Sequence, residues 1–248
     1  MTTNAIDLHS LMIASDSRWS TYHGDYFCFV DDTGFDKIAA RGFGAIICAG
    51  DAWLIEAWRK WFFADDLLPV YPETERTDGS YQGSIDITFI AAKSGKIVLN
   101  RGNYIQGDGS MFAGSGAHAA FNCFALNGCV MRCVNTANSV DLHTGGSTVF
   151  WNISTGDHNL SEPPHDITKM HHELTTRGFA MNLTSKKLIP VSDYLATLPA
   201  PEAGAANLSE FHLSAPTGKG FQPWSEDEKR ELKSAVSEMI RLQQEFEP

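Results

Sequence analysis

The run Ala45-Ile46-Ile47-Cys48-Ala49-Gly50 is the strongest constraint on how this chain can fold, because it passes straight into a segment of different period. Consecutive apolar and small residues fit a strand buried on both faces. From Asp51 to Phe63 the spacing turns helical: Leu54, Ile55, Trp58, Trp61 and Phe62 recur every three or four residues and share one broad face. That face predicts packing against a sheet, with the tryptophans Trp53, Trp58 and Trp61 read as core rather than as contact surface.

Around this pair, alternation of apolar and polar residues predicts strands at roughly Asn4–Leu8 and Leu11–Ser15, joined at His9-Ser10. A second hairpin is predicted from Ile85–Ile90 and Lys96–Leu99 about Ser94-Gly95, and a final strand from Thr148 to Ile153. Pro69 to Gly83 reads as a loop, and the aromatic stretch from Arg18 to Gly34 has no assignable period. Helices are predicted over about Ala117–Leu126 and Cys129–Asn138, parted by Asn127-Gly128, whose glycine suits the left-handed residue that ends a helix. This order is that of a layered α+β domain with sheets between helices, covering residues 2–154.

Residues 155–248 read as a C-terminal extension. It holds Pro163-Pro164, a histidine-rich patch, Pro190 and a linker-like Leu198–Ala206. A charged helix then runs to about Phe246, and Ser225 with Glu228 fits a capping box at its start.

Composition narrows the function classes. The 248 residues carry 30 acidic against 19 basic side chains, a formal charge of −11, with no basic stripe of the kind phosphate binding needs. Nucleic acid and anionic membrane surfaces are disfavoured partners. No apolar run approaches the ~20 residues of a membrane helix, and the start Met1-Thr2-Thr3-Asn4 lacks the basic and apolar regions of a signal peptide, which predicts a cytoplasmic protein. Five cysteines, Cys28, Cys48, Cys123, Cys129 and Cys133, form no CxxC and read as reduced core thiols.

No cofactor is expected. Gly107-Asp108-Gly109 and Gly114-Ser115-Gly116 lack the spacing and downstream acid of a dinucleotide loop. His158, His165, His171, His172 and Glu173 cluster in sequence, but adjacent histidines point apart, and a zinc site would need ligands from elsewhere. A surface loop or subunit contact is the plainer reading. His143 has no assigned role.

Several short features fall in one order: Thr2-Thr3, Ser15-Asp16, Lys37, Cys48-Ala49-Gly50, Gly114-Ser115-Gly116 and Asp141-Leu142-His143-Thr144-Gly145-Gly146. In that order they resemble the β-subunits of proteasomes, most closely the simpler bacterial heat-shock protease HslV, a family of N-terminal-nucleophile (Ntn) hydrolases. The resemblance covers residues 2–154; the opening hairpin is shorter than the family's, and the C-terminal third has no counterpart there. It implies a four-layer αββα sandwich with a C-terminal extension, and a threonine peptidase acting on a peptide or unfolded-protein substrate. It also implies a homo-oligomeric ring and an unfoldase partner.

The chemistry is coherent with those residue types. A threonine hydroxyl is a weak nucleophile that needs an adjacent base, and a free α-amine with a pKa near 8 can serve once Met1 is removed. The resemblance implies that Lys37 lowers the Thr2 hydroxyl pKa and that Asp16 keeps Lys37 charged. It further implies that Ser115, Asp141 and Thr144 hold the amine, and that the Gly50 N–H stabilises the oxyanion. Each residue also has an ordinary reading: Thr2 as an edge-strand residue, Asp16 and Asp141 as turn acids, Lys37 as a solvated lysine, Ser115 as a helix cap. A catalytically silent proteasome-like scaffold that retains Met1, and an amidohydrolase of small amides, are the alternatives.

Overall fold

The computed structural model describes residues 2–102, 104–162, 166–198, 211–217 and 220–246. Its first sheet has five strands: β1 (Thr3–Asp7), β2 (Met12–Asp16), β10 (Tyr104–Gly107), β11 (Ser110–Gly114) and β12 (Thr148–Asn152), in the order β10-β11-β1-β2-β12. The second has ten. Its main path runs β14 (Leu188–Pro190), β13 (Phe179–Asn182), β4 (Tyr26–Val30), β3 (Trp19–His23), β15 (Ser214–Ala215), β6 (Gly44–Asp51), β8 (Tyr81–Ala91) and β7 (Glu75–Asp78). β5 (Ile38–Arg41) pairs with β6 off that path, and β9 (Ile97–Arg101) pairs with β8.

β6 is buried along its whole length, as its apolar run requires. Asp51 ends it and caps the helix that follows, α1 (Ala52–Phe62), accepting from the backbone N–H of Trp53 and Leu54 at 2.9 and 3.1 Å. Trp58 and Phe62 of α1 are fully buried, each contributing ~1.5–3 kcal/mol by leaving water. They join a core shared with α4 (Ile167–Arg177), α5 (Val191–Ala196) and α6 (Glu226–Phe246) against the ten-stranded sheet. A second core, including Ile6, Ile13, Ile38, Ile47 and Ile90, lies between the sheets. A third joins the five-stranded sheet to α2 (Ala117–Asn127) and α3 (Val130–Val140).

The expected four-layer αββα sandwich is corrected by this architecture. Fifteen strands against six helices among the described residues make a β-dominated fold of two large antiparallel sheets. The excess of strands comes from segments whose sequence carries no clean period-2 signal. Trp19–Val30 is a hairpin turning at Gly24, with Trp19, Ser20, Phe27, Cys28, Phe29 and Val30 buried, so inward and outward positions do not alternate in polarity. The Pro69–Gly83 loop contains β7 and the start of β8, joined through Gly79 at φ 58°. Gly107-Asp108-Gly109 is the turn of the β10–β11 hairpin.

The local signals were sounder. Gly128 adopts φ 62° at the end of α2, the left-handed cap expected there. Ser225 and Glu228 form the reciprocal capping box: the Glu228 N–H donates to Ser225 Oγ at 3.2 Å, and the Ser225 N–H donates to Glu228 Oε2 at 2.7 Å. Beyond residue 154 the chain supplies β13, β14 and β15 to the ten-stranded sheet, while α6 packs on β8 and β9. The linker reading over 199–206, Pro163-Pro164 and His165 lie outside the described residues. Cys28, Cys48 and Cys133 are buried free thiols, and Cys123 and Cys129 are half-buried. No helix among the described residues is long and apolar enough to cross a membrane.

Candidate active site

Three chain segments meet at the open end of the β1–β2 hairpin. Antiparallel pairing places Thr3 and Asp16 at the same end of β1 and β2, while Thr148 opposite Asp16 brings the turn before β12 alongside. Lys37, just before β5, enters from the other sheet.

Asp16 is the hub. Its Oδ1 accepts the Thr2 hydroxyl, the Thr3 backbone N–H at 2.9 Å and Lys37 Nζ at 2.9 Å. Its Oδ2 accepts the backbone N–H of Arg18 at 3.1 Å and of Gly145 at 3.2 Å. Lys37 is wholly buried, and Nζ also donates to the Asp16 carbonyl at 2.9 Å. Burial pushes the Lys37 ammonium below its ordinary pKa, and the Asp16 carboxylate opposes that shift. The reading of Lys37 as a solvated lysine is therefore excluded.

The Lys37 backbone is held as closely as its side chain. Arg59 of α1, itself buried, donates to the carbonyls on either side, at 2.5 Å to Asp36 and also to Ile38. Its guanidinium is pushed down to about 10, chiefly by burial. The Lys37 carbonyl in turn accepts the Cys48 N–H of β6 at 2.8 Å. Arg59 is a positioning residue that sequence reading missed, because its helical spacing marked only a polar place on α1.

A second network lies on the other side of β1. Ser115 donates to Asp141 Oδ2, and Thr144 donates to the same oxygen at 2.6 Å. With its own proton committed there, Thr144 Oγ1 accepts the Thr3 hydroxyl, 2.7 Å away. Ser115 is therefore no helix cap: α2 has Gly116 at its N-cap, with no side-chain cap bond. Gly114, at φ 90°, lets β11 approach this corner, since a Cβ there would lie 1.7 Å from the Thr2 carbonyl oxygen.

The structure thus brings Thr2 and Lys37 onto one oxygen of Asp16, and it brings Ser115 and Thr144 onto one oxygen of Asp141, with Thr144 reaching Thr3. It does not join the second set to the Thr2 nitrogen, whose N–H donates to the Pro216 carbonyl at 3.0 Å. Gly50, at φ 115° and in register with Ala215, stands across β15 from that point. Its glycine is required, since a Cβ would lie 2.1 Å from the Ser84 carbonyl oxygen.

Arg18, Asp31 and Asp32 were also missed, in the stretch that had no period. Arg18 forms a two-pronged pair with Asp31, 2.8 Å at each contact, and donates to the Leu142 carbonyl at 2.7 Å. Asp32 accepts Ser17 Oγ at 2.6 Å and the Ser147 N–H at 2.8 Å. Together they fasten the turn after Asp16 to the 141–147 turn. His143 packs against Phe27 with ring centroids 4.6 Å apart, its Nε2 2.9 Å from the Tyr22 hydroxyl.

The histidine patch disperses. His171 is buried with its ring nitrogens 3.0 and 2.9 Å from the carbonyls of Ile167 and Phe211, while His158 forms an isolated bridge with Trp151. No group of three or more metal-ligating side chains is placed together among the described residues. No protein-family profile matches the chain, and no curated protein matches it.

Proposed function

We propose that this protein is a threonine-type peptidase whose nucleophile is Thr2 and whose base is the α-amine freed when Met1 is removed. The observation that carries the reading is the Thr2 hydroxyl bonded to a carboxylate that is itself paired with a fully buried lysine. A structural threonine has no need of a buried cation behind its hydrogen-bond acceptor, and taking an ion pair out of water costs several kcal/mol per ion.

The chemistry closes without a cofactor. Thr2 Oγ attacks the peptide carbonyl as its proton passes to the α-amine, and the Lys37 charge, which Asp16 maintains, favours the loss of that proton. The amine then gives the proton to the leaving amine, forming an ester. Water, deprotonated by the same α-amine, attacks that ester and releases the acid and Thr2. Gly50 would offer its N–H to the oxyanion; losing one such donor elsewhere costs ~3–4 kcal/mol.

An intact mass lacking one methionine, and covalent labelling of Thr2 by an electrophile selective for N-terminal threonine, are the expected results. Thr2→Ala should abolish labelling with no change in the thermal unfolding midpoint beyond a few degrees. Quantitative retention of Met1, or labelling that survives Thr2→Ala, overturns the proposal.

The same reading carries assembly into a homo-oligomeric ring. In its favour, α2 has no charged residue and leaves Leu126 89% exposed near its end, with Val140 of α3 70% exposed. Native mass spectrometry should give a multiple of the 27.2 kDa chain; a monomer at micromolar concentration removes this part of the proposal.

A further inference from the structure

The ten-stranded sheet is continuous only because a short strand from far along the chain fills a slot in it. β8 pairs with β6 from Gly44 to Gly50, so β5 and β15 share the opposite edge: β5 covers residues 44–47 and β15 covers 50–51. On its other side β15 meets β3, with Ser214 in register with Ser20. The next residue, Pro216, aims its carbonyl at the Thr2 N–H.

The segment is anchored at both ends of this short ladder. Leu213 and Ala215 are completely buried, and the Leu213 carbonyl accepts the Ala52 N–H at the start of α1, 3.1 Å away. His212 stacks on Tyr81 with centroids 3.9 Å apart, and its Nδ1 lies 3.2 Å from Arg76 Nη2. Arg76 is bound to Asp51, the cap of α1, at 3.0 Å. The Phe211 carbonyl meets His171.

Apart from the Ser214 hydroxyl, which donates to the Ser20 carbonyl at 3.3 Å, the contacts to β3 and β6 are backbone pairings, and these are indifferent to side-chain identity. A slot of that kind accepts an extended peptide by strand addition. An incoming peptide that paired with both edges and presented a carbonyl beside Thr2 would have to lie where Ser214, Ala215 and Pro216 lie. Two segments cannot share that space.

We propose that residues 211–217 are a built-in occupant of a peptide-binding slot, filling the strand position between β3 and β6 beside Thr2, so that an extended peptide enters only when the segment leaves. The use of the slot for hydrolysis rests on the peptidase reading above; the competition for it does not. The protein is then latent as folded, and its activation is the release of a two-residue strand rather than an assembly of catalytic groups.

A reversible lock tests this. Ser20→Cys with Ser214→Cys places two thiols on residues directly opposed across an antiparallel pair, where Cα separations of about 4.5–5.5 Å suit a disulfide. The probe is a fluorescent peptide with the sequence of residues 211–217, read by anisotropy against the oxidised and the reduced forms of the same full-length variant. Binding to the reduced form should be tighter by about tenfold or more, because the locked form has almost no open population. Leu213→Ala, which weakens the anchor without a disulfide, should likewise bind the peptide about tenfold tighter than the unaltered protein. Equal affinity in the oxidised and reduced forms, or no binding by either the reduced form or Leu213→Ala, overturns the proposal.

Labelling of Thr2 in the same samples separates the two ideas. Peptide binding gated by the disulfide with no labelling in any form keeps the occupant and removes the peptidase. Labelling at one rate in both forms keeps the peptidase and removes the occupant.

Discussion

Asp16→Asn is expected to cost about 3–5 kcal/mol of folding stability, because it leaves the Lys37 ammonium buried without its counter-charge. Both side chains are inaccessible to water, at 0% and 1% exposure, so solvent cannot replace the lost partner. Lys37→Met should cost less, since the carboxylate keeps its four other donors: the Thr2 hydroxyl and the backbone N–H of Thr3, Arg18 and Gly145. The double variant should recover part of the Asp16→Asn loss, as replacing a buried pair is gentler than breaking one. Urea unfolding of the single and double variants measures the cycle. An Asp16→Asn protein as stable as the unaltered one would mean that Lys37 carries no charge in the folded state, and the proposed role of the pair would fall with it.

Acidification should destabilise the protein through His143. Burial holds its imidazole neutral and pushes its pKa from 6.5 down to about 4. A base depressed in the folded state keeps its full stability above the unfolded pKa and loses it as pH falls toward the folded value, because the unfolded chain takes up the proton first. Across the window from pH 6.5 to about 4 the loss reaches about 3 kcal/mol, at 1.36 kcal/mol per unit. The buried Nδ1 has no hydrogen-bond partner, so nothing at that atom rewards protonation. His143→Gln should flatten this limb of the stability curve while leaving a polar group to meet Tyr22. If thermal midpoints of the two proteins fall in parallel between pH 6.5 and 4, the imidazole is not held neutral and this account of it is wrong.

These two effects sit on either side of one junction, and they differ in how much of them sequence could reveal. Asp16 and Lys37 emerged as candidates from their place in an ordered series of short motifs, although neither residue has a local pattern that distinguishes it from a turn acid or a surface lysine. His143 gave no signal at all. Its neutrality comes from Phe27 and Tyr22, which belong to a hairpin buried continuously over Trp19–Thr21 and Phe27–Val30 and so without the alternation that reveals a half-exposed strand. Arg59 was similarly silent: its contacts lie with the carbonyls of Asp36 and Ile38, more than twenty residues away in the chain.

The sequence by itself determined the features that neighbouring residues settle among themselves. The buried β6 strand and its helix, the Gly128 stop and the Ser225–Glu228 box each depend on hydrogen bonds or apolar spacing within a few residues. Tertiary structure alone decided that strands dominate, because β13, β14 and β15 are short, and only β4, β3 and β6, laid down much earlier, join the β13–β14 hairpin and β15 to the sheet. It also decided what lies against Thr2. Ser214 meets Ser20 across 194 positions of chain, and a two-residue strand has too few side chains to announce such a pairing; its stability comes from the two edges that receive it.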